Sequence, residues 1–190
     1  MRKLKLKVQI TVEGFIAGLN NEMDWMKFPW SEDIINYVRE ITNPVDTILL
    51  GRNLAQGFIP HWENVAKNPE DPEFEGGLKY SGTPKVVFTK TLNECVWSNT
   101  KLAKNDLVNE VNELKNQPGG DLIAYGGGKF VSSLIQHHLI DEYHLFVNPT
   151  AIGNGMPIFK ELNQYLNLEL AECKKFDCGI ALIKYISNQN

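Results

Sequence analysis

Three consecutive glycines, Gly126, Gly127 and Gly128, are the feature of the sequence that most clearly suggests a ligand. A short apolar run, Leu122 to Tyr125, precedes them and is typical of a buried strand, while the apolar spacing after them predicts a helix. Glycines without Cβ atoms let a ligand approach the backbone, and the first turn of the helix offers unpaired N–H groups to an anion such as phosphate. The alternative is a tight turn without a ligand.

Two other predicted strand ends carry groups that bind anions. Arg52 follows the strand Asp46–Leu50, and its planar guanidinium suits a phosphate, although pairing with a surface carboxylate is the alternative. Thr89 and Lys90 lie at the end of the strand Lys85–Thr89, where a solvated turn is equally compatible. In open sheets ligands bind beyond the carboxyl ends of the strands. A dinucleotide, with its separated phosphates, would account for all three groups at once.

Aromatic and acidic side chains near the N-terminus are the candidates for contacting a substrate. Trp25 and Trp30 belong to an aromatic cluster that suits a flat ligand, with core packing as the alternative. Glu13 opens a glycine-punctuated loop, which either forms a lid or packs its apolar residues into the core. Asp33 lies in the first turn of a predicted helix, where the helix dipole favours an acid without any function. We predict Asp33 or Glu13 as the group that holds the substrate or supplies its proton.

Length and composition limit the class of protein. A chain of 190 residues with 43% hydrophobic residues predicts one domain over residues 1–190. The net charge of −4 argues against nucleic-acid and acidic-membrane partners. Three cysteines at spacings that match no zinc pattern fit a reducing compartment, and no apolar run approaches the roughly 18 residues of a membrane span. We therefore expect a cytoplasmic protein without a metal.

Strands that alternate with helices predict an α/β fold with a mostly parallel, twisted central sheet flanked by helices. The strict alternation of Leu4 to Val12 predicts a strand with one solvent-facing side. The tail, Leu168–Lys175 and Ile180–Ile186, predicts a C-terminal antiparallel hairpin. Frequent proline and glycine between Pro60 and Pro84 predict a long irregular connection. Two short strand pieces are predicted at Cys95–Trp97 and Thr100–Leu102.

Taken in order, six segments of the chain resemble the dihydrofolate reductase superfamily. They are Glu13–Gly18, the strand that ends at Gly51 and Arg52, Lys85–Lys90, Gly126–Gly128, Leu139–Tyr143 and Pro149–Phe159. Within the superfamily the chain is most similar to the reductase domain of bacterial riboflavin biosynthesis and its stand-alone relatives. The resemblance implies a dihydrofolate-reductase-like fold, NADPH as the hydride donor, a small pteridine- or pyrimidine-like substrate, and a homodimer.

The resemblance also implies roles for individual residues. The glycine turn would hold the pyrophosphate of NADPH, Arg52, Thr89 and Lys90 would lie near the adenosine phosphates, and Ile16–Gly18 would cover the nicotinamide. The predicted cofactor contacts are Ala17, Gly51, Arg52, Asn53, Thr89, Lys90, Gly126, Gly127, Gly128 and Lys129. Leu54 stands where the family usually has a hydroxyl, which favours a non-catalytic nucleotide-binding or scaffold protein as one alternative. A true dihydrofolate or pteridine reductase is the other.

Overall fold

An eight-stranded sheet organises the protein in the computed structural model, which describes residues 1–126 and 128–188. The strands are β1 (Leu4–Ile10), β2 (Val45–Gly51), β3 (Lys85–Phe88), β4 (Thr100–Ala103), β5 (Asp121–Tyr125), β6 (Glu142–Val147), β7 (Leu168–Lys175) and β8 (Ala181–Ser187). The helices are α1 (Glu32–Thr42), α2 (Arg52–Val65), α3 (Phe74–Gly82), α4 (Leu107–Asn116) and α5 (Gly128–Gln136). The strand order is β4-β3-β2-β5-β1-β6-β8-β7. The first six strands pair in parallel and the last two pair antiparallel, which confirms the predicted fold class.

The two faces of the sheet are packed differently. On one face, α4 and α5 bury the side of β1 that carries Leu4, Leu6 and Val8 in one continuous core. On the other face the core is split in two. One cluster joins α1 to β6 and β8 through residues such as Phe146, and the other joins α2 to β2, β3 and β5 through residues such as Ile48.

The gap between these two clusters lies over β1. This strand is central, between β5 and β6, so its polar side is buried or half-buried instead of facing solvent as its alternation predicts. Lys5, for example, is 6% exposed. Strands inside a parallel sheet are usually apolar on both faces. The polar residues Lys5, Lys7 and Gln9 on an enclosed face therefore need a specific explanation, and Lys5 has one in its ion pair with Asp121 at 2.9 Å.

The prediction of an irregular connection from residue 60 to 84 is wrong. Helix α2 continues through Pro60, and α3 follows after a connection of turns over residues 66–73. The glycine pattern has a packing cause, because a Cβ on Gly77 would lie 2.7 Å from Ala66 N and 2.8 Å from Val65 Cγ1. The two helices are joined further by the ring pair Trp62 and Tyr80, whose centroids are 4.5 Å apart. Gly77 thus permits close helix packing instead of breaking a helix.

The remaining predicted elements are mostly confirmed. Cys95–Trp97 forms no strand, whereas the second predicted piece lies in β4. The C-terminal hairpin is present, with Gly179 in its turn at φ +92°, a conformation that favours glycine. No helix in the described part of the chain is long and apolar enough to cross a membrane.

Candidate functional site

The predicted phosphate contacts come together at the carboxyl edge of the sheet. Strands β2 and β5 are neighbours, and Leu49 pairs with Ala124, so both strands end side by side two residues later at Gly51 and Gly126. Strand β3 lies on the other side of β2 and ends beside Gly51 as well. Arg52, the turn after β3 and the glycine turn therefore share one edge. Gly127 lies outside the described residues.

Arg52 is held by neutral groups. Its Nη1 donates to Thr91 Oγ1 at 2.9 Å, and its Nε and Nη2 donate to Asn53 Oδ1 at 3.3 and 3.1 Å. Thr89 Oγ1 accepts from the backbone N–H groups of Thr91 and Leu92, which shapes the turn that presents Thr91. Within the described ranges no carboxylate forms an ion pair with Arg52. The guanidinium is thus oriented but not neutralised, as a phosphate site requires.

The glycines at this edge serve different purposes. Gly128 begins α5, and a Cβ there would lie 3.6 Å from Ile16 Cδ1, in ordinary contact. A Cβ on Gly51 would lie 2.8 Å from Phe130 Cβ, so this glycine allows α5 to pack against β2. A Cβ on Gly126 would be more crowded than one on Gly128 and less crowded than one on Gly51. Its nearest atom would be a Val8 methyl carbon at 3.3 Å.

The remaining predicted contacts at this edge differ in burial. The side chains of Lys90 and Lys129 are exposed beside the edge. Leu54 is partly buried against the core under α2, which accounts for an apolar residue at that position.

The loop after β1 is fastened to the segment around Met156. Ile16 N donates to Met156 O at 2.9 Å, and Met156 N donates to Ala17 O at 2.8 Å. Glu13 Oε1 accepts from the N–H groups of Ile152 at 2.9 Å and Gly153 at 2.8 Å, and the bond from Gly153 is the main cause that lowers the pKa of Glu13. Ile16 is 9% exposed, so the core-packing alternative describes it. The catalytic role of Glu13 stays a prediction, since these contacts already give its carboxylate a structural role.

Asp33 lies between the start of α1 and the turn of the C-terminal hairpin. Its carboxylate accepts from Ser31 Oγ at 2.5 Å, Ile34 N at 2.9 Å and Asp177 N at 3.0 Å. The bond from Ser31 is the main cause that lowers the pKa of Asp33. The acid thus joins the helix to the hairpin. Its role in holding a substrate stays a prediction.

The two predicted tryptophans lie in different environments. Trp25 is 9% exposed, and its Nε1 donates to Glu22 O at 3.2 Å, so it packs in the loop. Trp30 is half-buried and stacks on the exposed ring of Phe28 with centroids 5.8 Å apart. The buried Nε1 of Trp30 has no acceptor in the part of the chain that the structure describes. Of the two, Trp30 is therefore the one with an unused hydrogen-bond donor.

Asn148, a fully buried residue just after β6, fixes the aromatic loop to the sheet. Its Oδ1 accepts from Lys27 N at 2.8 Å, and its Nδ2 donates to Gln9 Oε1 at 3.0 Å. A buried amide satisfied on both sides holds its neighbours firmly. Trp30, three residues after Lys27, is thereby kept near the polar side of β1.

Lys7 is the residue that sequence reasoning missed. Its Nζ lies 4.9 Å from the ring centroid of Trp30, 5.5 Å from that of Phe146 and 5.6 Å from that of Tyr125. Across residues 1–126 and 128–188 no carboxylate or hydrogen-bond acceptor contacts this Nζ. Burial lowers the pKa of Lys7 to about 8, opposed by the charge of Glu73. The residue is half-buried, and a partly desolvated cation whose pKa is shifted is typical of functional sites.

We give the name β1 cleft to the group of four side chains formed by Lys7 and the rings of Trp30, Tyr125 and Phe146 around its Nζ. Lys7 pairs in the sheet with Tyr125, the residue before Gly126, so the cleft adjoins the glycine turn. The alternating pattern of β1 contained Lys7, but nothing in that pattern showed that the strand is central. Only its central position turns an ordinary surface lysine into an enclosed one.

Comparison with known proteins identifies the family. The family described as RibD C-terminal domain matches residues 2–182. The chain belongs to the RibD C-terminal domain family. It is 34% identical over 187 residues to the uncharacterized protein YyaP of Bacillus subtilis, covering 97% of this chain and 94% of that one.

Solved structures show the same fold. A Shewanella sp. PV-4 protein named for riboflavin biosynthesis has a TM-score of 0.74 at 19% identity, with both chains covered completely. The Thermotoga maritima diaminohydroxyphosphoribosylaminopyrimidine deaminase/5-amino-6-(5-phosphoribosylamino)uracil reductase has a TM-score of 0.69 at 16% identity. That match covers 98% of this chain and 56% of the Thermotoga protein. The RibD C-terminal domain family is thus one of riboflavin-biosynthesis reductase-like proteins.

Proposed function

We propose that this RibD C-terminal domain protein is an NADPH-dependent reductase whose substrate is a small, pyrimidine-like heterocycle bound in the β1 cleft. The observation that carries the proposal is the half-buried Lys7, whose ammonium lies among three aromatic rings, without an ion-pair or hydrogen-bond partner in the described chain, directly beside the glycine turn. A flat ring with a carbonyl group fits both the rings and the ammonium.

The residues at the carboxyl edge fit a dinucleotide. Arg52 offers an oriented cation, and the exposed Lys90 and Lys129 add positive charge nearby. Gly128 begins α5, where N–H groups and the helix dipole favour a phosphate. NADPH, when bound, would supply the hydride. The residues of the chain would bind its phosphates and exclude water.

The residues of the β1 cleft would orient the substrate. The Lys7 ammonium and the Trp30 Nε1 are donors without acceptors in the described chain, and a carbonyl oxygen or ring nitrogen would satisfy them. With its pKa near 8, Lys7 is charged at neutral pH yet close enough to neutrality to give up a proton. In this proposal Lys7 binds the substrate and is the candidate donor of the proton that accompanies reduction.

The alternatives make different demands on the site. A dihydrofolate or pteridine reductase needs an acid for the pterin, and the carboxylate of Asp33 already accepts three hydrogen bonds from Ser31, Ile34 and Asp177. A non-catalytic nucleotide-binding protein needs no substrate donor, and the Lys7 ammonium in its ring of aromatic side chains argues against it. The homodimer implied by the family resemblance remains a separate proposal, for which sedimentation velocity is the direct measurement.

The experiment has two stages. NADPH is first titrated into the protein while tryptophan fluorescence is followed, with Arg52→Gln as the test variant and Arg39→Gln as a control on the exposed side of α1. We expect saturable quenching, weakened about 10- to 100-fold by Arg52→Gln because a charged hydrogen bond to phosphate contributes about 1.5–3 kcal/mol. Arg39→Gln is expected to bind as the wild type does.

NADPH oxidation is then measured with 5-amino-6-(5-phosphoribosylamino)uracil, related pyrimidines and dihydrofolate. Turnover of a pyrimidine supports the proposal, and turnover of dihydrofolate alone transfers the assignment to the pteridine alternative. Absence of saturable NADPH binding at millimolar concentration contradicts the reductase proposal altogether.

A further inference from the structure

A row of four polar side chains, three of them buried and the fourth, Glu172, half-buried, crosses three elements on the α1 face of the sheet. Tyr37 Oη on α1 lies 3.2 Å from Glu172 Oε2 on β7 and 3.3 Å from His144 Nδ1 on β6. The other ring nitrogen of His144, Nε2, lies 3.3 Å from Glu142 Oε2. His144 is 1% exposed and Glu142 is 5% exposed, so water cannot easily replace these contacts. The row links the helix to the C-terminal hairpin through the core.

The number of protons decides whether all three contacts can be hydrogen bonds. Each contact needs one proton between its two heavy atoms, and the carboxylates at both ends only accept. The Tyr37 hydroxyl supplies one proton and a neutral His144 supplies one, which leaves three contacts with two protons. A doubly protonated His144 supplies the third, and only then is every contact satisfied.

At neutral pH the row is therefore one proton short. Burial is the main cause that lowers the pKa of His144, opposed by the hydrogen bond to Glu142, so the ring is neutral. Burial also raises the pKa of Tyr37, so its hydroxyl keeps its proton. The charged and titratable groups facing the ring from the elements around it are Tyr37 from α1, Lys5 and Lys7 from β1, Glu142 from β6, Lys184 from β8, and Glu172 and Lys174 from β7.

The contact that is left without a proton is the most exposed one. Glu142 is anchored by Lys3 at 2.7 Å and Lys184 at 3.4 Å, so a neutral His144 keeps its proton on Nε2 for that carboxylate. The single proton of the Tyr37 hydroxyl can then be donated to His144 Nδ1 or to Glu172, but not to both. The acceptor that does not receive this proton then faces the Tyr37 oxygen with a lone pair against a lone pair. Glu172 lies on an edge strand and is the group that can turn into water.

We propose that Glu172, Tyr37 and His144 form a proton-controlled latch between α1 and the C-terminal hairpin, complete only when His144 carries two protons. At a pH low enough for His144 to carry two protons, Nδ1–H donates to Tyr37 and Tyr37 donates to Glu172. At higher pH, β7 is attached by one contact fewer. Trp30 immediately precedes the N-cap of α1, and His144 pairs in the sheet with Lys7, so the latch borders the β1 cleft. The latch does not depend on the proposed reductase activity.

Replacing Glu172 by glutamine tests the proton count directly. The side-chain amide introduced by Glu172→Gln would bring N–H donors of its own to the Tyr37 oxygen, so Tyr37 can donate to Nδ1 and His144 can donate to Glu142 with a neutral ring. Three contacts then have three protons at neutral pH. The matched control is Glu169→Gln, which removes the same charge from the same strand at an exposed position. Tyr37→Phe removes the centre of the latch.

Hydrogen exchange of the β7 amides at neutral pH is the measurement. We expect exchange about fivefold slower in Glu172→Gln than in the wild type, because one hydrogen bond of about 1 kcal/mol is gained. Tyr37→Phe should exchange faster, and Glu169→Gln should match the wild type. After correction for intrinsic rates, protection in the wild type should rise as pH falls through the His144 titration, and in Glu172→Gln it should not.

The sign of the Glu172→Gln effect separates the latch from a simple structural role. If Glu172 merely accepts a charge-assisted hydrogen bond from Tyr37, the amide is the poorer partner, and β7 would exchange faster or at an unchanged rate. Either result at neutral pH overturns the latch. Titration of the His144 ring resonances gives an independent check, since the ring in Glu172→Gln should bind its second proton at least about tenfold more weakly.

Discussion

Replacing Lys7 by methionine should make the protein more stable while removing its ability to bind a substrate. Methionine has a similar length and no charge, so it keeps the aromatic contacts of the side chain and removes the partly desolvated ammonium. Residues that serve a ligand often cost stability in the free protein. A purely structural lysine would show the opposite behaviour.

The magnitude follows from the pKa of Lys7, which burial lowers from 10.5 to about 8. At about 1.36 kcal/mol per unit, keeping this lysine charged at neutral pH costs about 3 kcal/mol. Some packing is lost with the substitution, so we expect Lys7→Met to raise the free energy of unfolding by about 1–3 kcal/mol. Because the folded pKa is the lower one, the wild type gains stability as pH rises from about 8 to 10.5. The difference between the two proteins should shrink over that range.

Denaturant unfolding at neutral pH and at about pH 10 measures both the difference in stability between the two proteins and its change with pH. Lys5→Met is the matched control, two residues earlier on the same side of β1. Lys5 pairs with Asp121 at 2.9 Å and donates to Ile41 O at 3.2 Å, so its removal should cost about 1–3 kcal/mol. If Lys7→Met is less stable than the wild type, or if the difference does not change with pH, the inference that Lys7 is a partly desolvated cation kept for a ligand is refuted.

Two further predictions concern the positions around the site. Gly51→Ala places a Cβ 2.8 Å from Phe130 Cβ and should lower the free energy of unfolding by about 1–3 kcal/mol. Gly57→Ala, whose Cβ would have no atom within 4 Å, should raise the free energy of unfolding by about 0.5–1 kcal/mol. Thermal or denaturant unfolding compares the two variants directly. Asp33→Asn should flatten the acid limb of the stability curve, because the lowered pKa of Asp33 gives a contribution that is present above its unfolded pKa and lost as pH falls through the folded value. The measurement is denaturant unfolding of the wild type and Asp33→Asn from neutral to acidic pH. A parallel loss of stability in the two proteins would count against this prediction.

Local patterns in the sequence were sufficient where the cause is local. The apolar run before Gly126, the alternation of β1 and the glycine in the turn of the C-terminal hairpin each predict the element that is present. The three strand ends with candidate anion contacts were predicted to share an edge, and they do, because parallel strands end on the same side. The family resemblance rested on the same local segments.

Local patterns misled where a residue serves a distant partner. The glycine pattern predicts a break at Gly77, yet this residue permits α3 to approach the end of α2. The first-turn position of Asp33 explains an acid through the helix dipole, yet its carboxylate also accepts from the N–H of Asp177, a residue 144 positions away. Packing partners so distant in the chain leave no periodic trace around the residue itself.

The sequence by itself determined the class of fold, the positions of most strands and helices, and the edge at which a phosphate-bearing ligand is expected. Only the tertiary structure decided that β1 is central, that Lys7 therefore lies among aromatic rings, and that His144 contacts Glu142 directly and Glu172 through the Tyr37 hydroxyl. The physical reason is that charge becomes costly only on burial, and burial depends on which strands become neighbours, which the spacing of residues along one strand does not specify.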